Sequence, residues 1–264
     1  MDLSVAQFST VSNVLSFTIA AMGASALFFF LSRSSVAPKY RPALLVSGLV
    51  VSIAGYHYIR IYESWHLAYA LGGDLFKATV TPFNDAYRYA DWFLTVPLLM
   101  VELITVLALP KAEGRSLLTK LVIAAALMIG LGYPGEISSD PTTRWFFWGA
   151  SMVPFVYLLA VLFSQLTKSL QTQPVAVRSL VSLARVVLLV TWSFYPIAYA
   201  IITVTGTKSA IGQVALQIGY SIADITSKAG YGLLIYNIAR AKSEAEGYDP
   251  DKVDSVTKIA TATA

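Results

Sequence analysis

The sequence predicts an all-α fold: one bundle of seven transmembrane helices with its N-terminus outside and its C-terminus in the cytoplasm. Three observations predict it. Of 264 residues, 56% are hydrophobic and only 13% charged, the latter about half the share of a soluble domain. Seven long apolar stretches, at about 12–32, 43–64, 85–108, 117–133, 144–167, 179–204 and 211–240, approach the roughly 20 residues a helix needs to cross a bilayer. The charges between them alternate in density from loop to loop. Barrel strands would read as short alternating segments, which these are not.

The loops set the topology. Arg33, Lys39 and Arg41 follow the first span, and Lys111, Arg115 and Lys120 the third. Lys168 and Arg178 follow the fifth, Arg240 and Lys242 the seventh. The opposite loops carry Lys77, Arg144 and Lys208, diluted by Asp74, Glu136 and Asp140. Basic loops stay in the cytoplasm, which orients the chain. The net charge of +4 is therefore a topology signal and not a nucleic-acid patch. No Lys or Arg precedes the first span, so a cleaved secretory signal is not expected. The absence of cysteine excludes disulfides and thiol chemistry. Residues 1–242 read as one membrane domain, and 243–264 as a polar, mobile cytoplasmic tail.

The second span carries His57, in Gly55-Tyr-His-Tyr-Ile-Arg60. It reads either as a polar core residue or as the partner of a nearby proton acceptor. The third span holds the densest chemistry. Arg88, Asp91, Thr95, Leu99 and Glu102 recur at spacings of three and four, which places them on one helix face. Asp91 and Glu102 lie about three turns apart, roughly 16 Å along the axis. Arg88, one turn from Asp91, is placed to neutralise part of its charge. Ionisable groups ordered across a bilayer suit a proton relay; gluing helices together is the plainer reading. Glu102 has apolar neighbours and no basic residue nearby in sequence, so it is expected to be neutral at rest. One carboxyl is set to accept a proton and the other to donate one.

The fourth span is the shortest. The seventh contains a lone lysine, Lys228, with Asp224 four residues before it. A lysine inside a span is costly and needs a partner, and i, i+4 side chains share a face. An amine among apolar neighbours can condense with an aldehyde. A structural Lys–Asp pair between helices explains the same two residues.

These residues carry a close resemblance to the microbial (type 1) rhodopsins. RYADWFLTVPLLMVE in the third span, WSFYPIAY in the sixth and DITSK in the seventh match that family's pattern, over almost the whole chain. The resemblance implies a light-driven outward proton pump in a prokaryotic plasma membrane, an ion transporter and not an enzyme. All-trans retinal would be held as a protonated Schiff base on Lys228. It implies Asp91 as primary acceptor and counterion, Asp224 as second counterion, Thr95 as the hydroxyl beside Asp91, Glu102 as cytoplasmic donor and Arg88 as the extracellular gate. Trp92, Trp192, Tyr195, Pro196 and Tyr199 would sandwich the retinal, and Met128 and Gly132 would meet its ring. Tyr58 would bind the Asp224-type counterion, and Leu99 falls at a colour-tuning position. On residue pattern alone, aromatics at helical spacing are more often a packed core than a cofactor box.

AGYHYIRI in the second span and GYPGEIS after the fourth resemble the xanthorhodopsin-like pumps in particular. There a histidine at the His57 position pairs with the acceptor. Glycine after Trp148, here Gly149, opens a window for a hydroxylated carotenoid antenna; helix packing is the plainer use of Gly149. Partners implied are the lipid bilayer and further copies of the chain, as a pentamer or trimer. Two departures stand out. The loop 204–213 has no carboxylate, so the glutamate pair that bacteriorhodopsin uses for release is missing. Met152 stands where some relatives have a small hydroxyl residue near the ring. A sensory rhodopsin signalling to a partner is the alternative function, and the donor carboxyl at Glu102 argues against it.

Overall fold

Ser4 and Gln7 start the first helix reciprocally: the Gln7 amide N–H donates to the Ser4 hydroxyl, and the Ser4 N–H donates to the Gln7 side chain. The computed structural model describes residues 1–205 and 209–249. Its elements are β1 (Asp2–Ser4), α1 (Val5–Leu31), α2 (Arg41–Ala68), β2 (Tyr69–Gly72), β3 (Leu75–Ala78), α3 (Tyr87–Leu107), α4 (Lys111–Ile137), α5 (Pro141–Thr172), α6 (Val175–Thr205), α7 (Ala210–Asp224) and α8 (Tyr231–Ala245). A π-helical segment, Ile225–Gly230, joins α7 to α8, so the three form one seventh rod. That break explains why six uninterrupted helices, and not seven, are long and apolar enough to span a membrane among the described residues.

The bundle is turned inside out relative to a soluble one. Phe17, Leu31, Val153 and Val190 are exposed on the outside, where lipid would meet them. Arg88, Asp91, Thr95, Glu102, Asp224 and Lys228 are buried inside. Chain neighbours pack together: α1 lies against α2, α2 against α3, and α4 against α5, while the seventh rod touches α1, α2, α3 and α6. Side-chain caps from Asp140 and Ser209 begin α5 and α7. Pro97, Pro134, Pro154 and Pro196 sit inside α3 to α6, where neighbouring helices can satisfy the freed backbone groups.

Two features were not in the sequence reading. A three-stranded antiparallel sheet in the order β1-β3-β2 covers one end of the bundle, with Leu3 opposite Phe76 and Leu71 opposite Phe76. Phe76 stacks on Phe8 of α1 at 3.8 Å between ring centroids, which ties the sheet to the bundle. At the other end, the boundary expected after residue 242 falls inside α8. Ser243 is buried and its hydroxyl accepts the Ala37 N–H at 2.8 Å. Tyr40 donates to Glu246 at 2.6 Å, and Lys39 pairs with Glu246 at 2.8 Å. Arg41 donates to the Tyr248 hydroxyl, which donates to the Ser34 carbonyl. The rest of the expected tail, 250–264, lies outside the described residues, as do 206–208 of the loop before α7.

Candidate functional site

Lys228 falls in the π-helical segment, where a wider turn is often found at functional positions. Its Nζ donates to Asp224 Oδ1 at 2.6 Å and lies 3.0 Å from Asp91 Oδ2. The three groups are each 2% exposed or less. Two carboxylates and one ammonium leave a negative excess, and the surrounding donors are arranged to meet it. Tyr58 donates to Asp224 Oδ2 at 2.8 Å and Tyr195 to Oδ1 at 2.6 Å. Trp92 Nε1 approaches Oδ1 at 3.4 Å. Asp224 is thus held by hydrogen bonds, whereas both Asp91 oxygens accept none of good geometry and Asp91 is held by charge.

The α3 face is as the spacing predicts: Arg88, Asp91, Thr95, Leu99 and Glu102 are all buried. Two of its contacts differ from expectation. Arg88 makes no ion pair with Asp91 among the described residues. It donates to Asp85 at 2.7 Å, to Tyr58 at 2.9 Å and to Gln217, and approaches Asp224 Oδ2 at 3.9 Å. The guanidinium is long enough to pass Asp91 and approach the other buried carboxylate, Asp224. Thr95 lies beside Asp91, and its hydroxyl donates to the Asp91 backbone carbonyl at 2.9 Å, the usual i−4 bond of a helical threonine. His57 Nδ1 is 4.0 Å from Asp91 Oδ1, yet its hydrogen-bond partner is the Ile53 carbonyl at 2.9 Å. His57 and Asp91 are adjacent without a direct hydrogen bond.

A cavity of about 100 Å³ opens beside Lys228. Trp92, Leu99, Met128, Gly132, Trp148 and Met152 line it from α3, α4 and α5, and Trp192, Tyr195, Pro196 and Tyr199 line it from α6. Every one of these was named from the sequence. Trp148 Nε1 donates to the Pro196 carbonyl at 2.9 Å, locking one wall. Tyr58 stands behind Asp224, to which it donates, and not in the cavity. Gly149 does not line it either; a Cβ built there meets nothing within 4 Å.

Sequence reasoning missed several residues of the site. Tyr89, Phe155, Tyr220 and Ser227 also line the cavity. Ser227 precedes Lys228, and Tyr89 and Tyr220 fall at helical spacing from Trp92 and Asp224, so periodicity could have found them. Asp85, three residues before Arg88, could have been paired with it by spacing, whereas Gln217, which accepts from Arg88 across the bundle, could not. Glu136 carried no signal of its pairing with Arg144 at 3.5 Å.

The chain matches the bacteriorhodopsin-like protein family over residues 9–242. It is 34% identical over 245 residues to a green-light absorbing proteorhodopsin of Gamma-proteobacterium EBAC31A08, covering 92% of this chain and 90% of that relative. Among solved structures, it resembles xanthorhodopsin, described as a light-driven ion pump with dual chromophore, at 53% identity and TM-score 0.90 over 94% of this chain and 99% of that one. It also resembles thermophilic rhodopsin, at 49% identity and TM-score 0.90 over 93% of this chain and 98% of that one.

Proposed function

This chain belongs to the bacteriorhodopsin-like family of microbial rhodopsins, and from that premise we propose that it is a light-driven outward proton pump carrying all-trans retinal on Lys228. The observation that carries the reading is the placement of Nζ, 2.6 and 3.0 Å from two buried carboxylates and on the wall of an aromatic, apolar cavity. The residues fit the group. An amine is available for an aldehyde, the carboxylates balance the resulting cation, and the lining is apolar with few polar groups, as a slim polyene requires. Trp92, Trp192, Tyr195, Pro196, Tyr199, Met128, Gly132, Trp148 and Met152 would hold it, with Leu99 bearing on its colour.

When bound, retinal supplies a light-driven isomerisation that changes the surroundings and proton affinity of the nitrogen it shares with Lys228. The protein does the rest. Asp91, free of hydrogen bonds, takes the proton that leaves Nζ. Asp224 stays anionic under the hydroxyls of Tyr58 and Tyr195. Arg88 bridges this pair to Asp85, on the side where the proton is to leave. Glu102 holds a proton in an apolar enclosure and returns one to Nζ. The basic loops orient α1 from outside to inside, which makes this order of transfers outward pumping. His57 tunes Asp91 by charge at 4.0 Å. A sensory photoreceptor needs no such donor, and Glu102 favours the pump.

Illuminated cells supplied with all-trans retinal should acidify their medium, and a protonophore should abolish the change. Lys228→Ala should give membrane-inserted, colourless protein with no light response. Alkalinisation that a protonophore enhances would indicate transport of another ion, and a coloured Lys228→Ala would remove the attachment site.

A second chromophore, a hydroxylated carotenoid, belongs to the same proposal. The open space around the Cβ position of Gly149, next to the cavity wall at Trp148, supports it, and the xanthorhodopsin structure is described as having a dual chromophore. Added carotenoid should give a new band in the action spectrum of pumping that Gly149→Trp removes. Identical action spectra with and without carotenoid would leave Gly149 as a packing residue.

A further inference from the structure

Lys242 ties two helix ends together at the C-terminal end of the bundle. It stands in the last turn of α8 and is only 6% exposed. The last four carbonyls of a helix have no amide partner within it. At the end of α3 the Ala108 N–H donates to the Thr105 carbonyl at 3.2 Å. The next two carbonyls, of Val106 and Leu107, each accept from Lys242 Nζ at 3.0 Å. A cation also suits the negative end of a helix dipole. The Tyr40 ring completes the seat, its centroid 5.2 Å from Nζ and so within cation–π range. The amine of one helix thus caps another helix, inside the protein and out of water.

One turn below this cap is Glu102, itself 0% exposed. Val106 follows it by four residues, roughly 6 Å along the axis. On α3, Leu103 and Val106 fall between the acid and the capped end. On α8, Ile238 and Ala239 fall one turn before Lys242. These four are each 1% exposed or less and belong to one apolar core. An ammonium is a costly group to bury in such a place, and here it spends its charge on two backbone carbonyls. Val106 and Leu107 are 0% and 3% exposed. Without Nζ their carbonyls would be buried and unpaired, a state that costs energy or draws water in.

We propose that Lys242 is a positioning residue for the proton donor: it clamps the end of α3 to the seventh rod and so keeps water out of the Glu102 enclosure. The proposal rests on the reading of Glu102 as donor. While Nζ holds both carbonyls, the apolar layer over Glu102 stays closed and the acid keeps its proton. With the clamp removed, water hydrates the freed carbonyls one turn from the acid. Protons then pass between Glu102 and the C-terminal side without waiting for the light-driven cycle.

Exchange of the Glu102 proton for deuterium in the dark tests the clamp. It is read from the infrared stretch of the protonated carboxyl, identified by its loss in Glu102→Gln. Exchange in D₂O should be slow in wild type and in Lys242→Arg, which keeps a charged donor. In Lys242→Met it should be at least ~10-fold faster, the scale of one hydrogen bond from a charged group. Lys242→Gln, with a neutral donor, should fall between. Glu246→Gln loosens the same end but leaves Nζ on α3, so it should exchange slowly. Wild-type colour with retinal shows that each variant is folded, and if Lys242→Met gives no coloured protein, Lys242→Gln carries the comparison. Wild-type exchange in the neutral Lys242 variants would overturn the proposal. So would equally fast exchange in Glu246→Gln, or a wild-type Glu102 with no protonated band. Normal reprotonation of Lys228 in Glu102→Gln would instead overturn the donor reading, while the exchange rates still decide whether Lys242 keeps this enclosure dry.

Discussion

Above and below Lys228 the bundle interior is built in opposite ways. Toward the sheet-covered end, Asp224, Tyr58, Tyr195, Arg88, Asp85 and Gln217 form one connected set of hydrogen bonds. Toward the C-terminal end, Glu102 and Tyr231 lie without partners among leucines and valines. Both arrangements are costly, but differently. A buried ion network repays desolvation only when its geometry is good, and here each oxygen of Asp85 and Asp224 accepts at least one hydrogen bond, while Asp91 beside them is left to charge alone. An acid in an apolar region avoids the cost of charge by keeping its proton. The first half is suited to accept and pass on a proton at once. The second is suited to store one until the surroundings change.

That contrast predicts two different failures. Asp91→Asn removes the carboxylate 3.0 Å from Nζ and leaves beside it only Asp224, which the hydroxyls of Tyr58 and Tyr195 hold as an anion, so pumping should fall by at least ~100-fold, the lower range for loss of a positioned base, and the absorption maximum should shift. Glu102→Gln should leave the colour near that of the parent. Its effect should be a slow return of the proton to Nζ, by about 100-fold at neutral pH and more at higher pH, where protons from water are scarcer. Flash spectroscopy separates the two steps. If both variants slowed the same step, the two halves would not be functionally distinct.

Much of this was legible before any coordinates. Apolar length alone places seven rods, because a membrane leaves the backbone few other choices. The spacing on α3 places five side chains on one interior face, all five buried. The aromatic residues named from the family pattern do line one cavity. What the sequence did not carry were relations between distant segments. Arg88 looked like the partner of Asp91, one turn on, but its guanidinium pairs with Asp85, one turn back, and reaches across the bundle towards Asp224. The hairpin had a local signal, Gly72-Gly73-Asp74 between apolar runs, with Gly73 at φ +74°. The N-terminal strand that completes the sheet had none, because its partner lies more than 70 residues away.

The smallest effect should appear where the apolar half meets the aqueous end. Lys242, Ser243, Glu246 and Tyr248 fasten the end of the seventh rod to the α1–α2 turn and to α3. Partial burial pushes the Glu246 carboxyl up, but the Lys39 ammonium and the Tyr40 hydroxyl outweigh it and hold the group below the usual carboxylate range. A carboxyl whose folded value is depressed stabilises the fastening above its unfolded value, near pH 4.3. That contribution is lost as pH falls through the folded value. The Glu246 side chain is 39% exposed, so the contribution should stay below ~1 kcal/mol. The chain has no cysteine, so Ala245→Cys gives a single site for a spin label. Label mobility should be constant from pH 8 to about pH 5 and rise below about pH 4, whereas with Glu246→Gln it should be raised throughout. Mobility that ignores both acid and Glu246→Gln would mean that Lys242, Ser243 and Tyr248 hold this end closed by themselves.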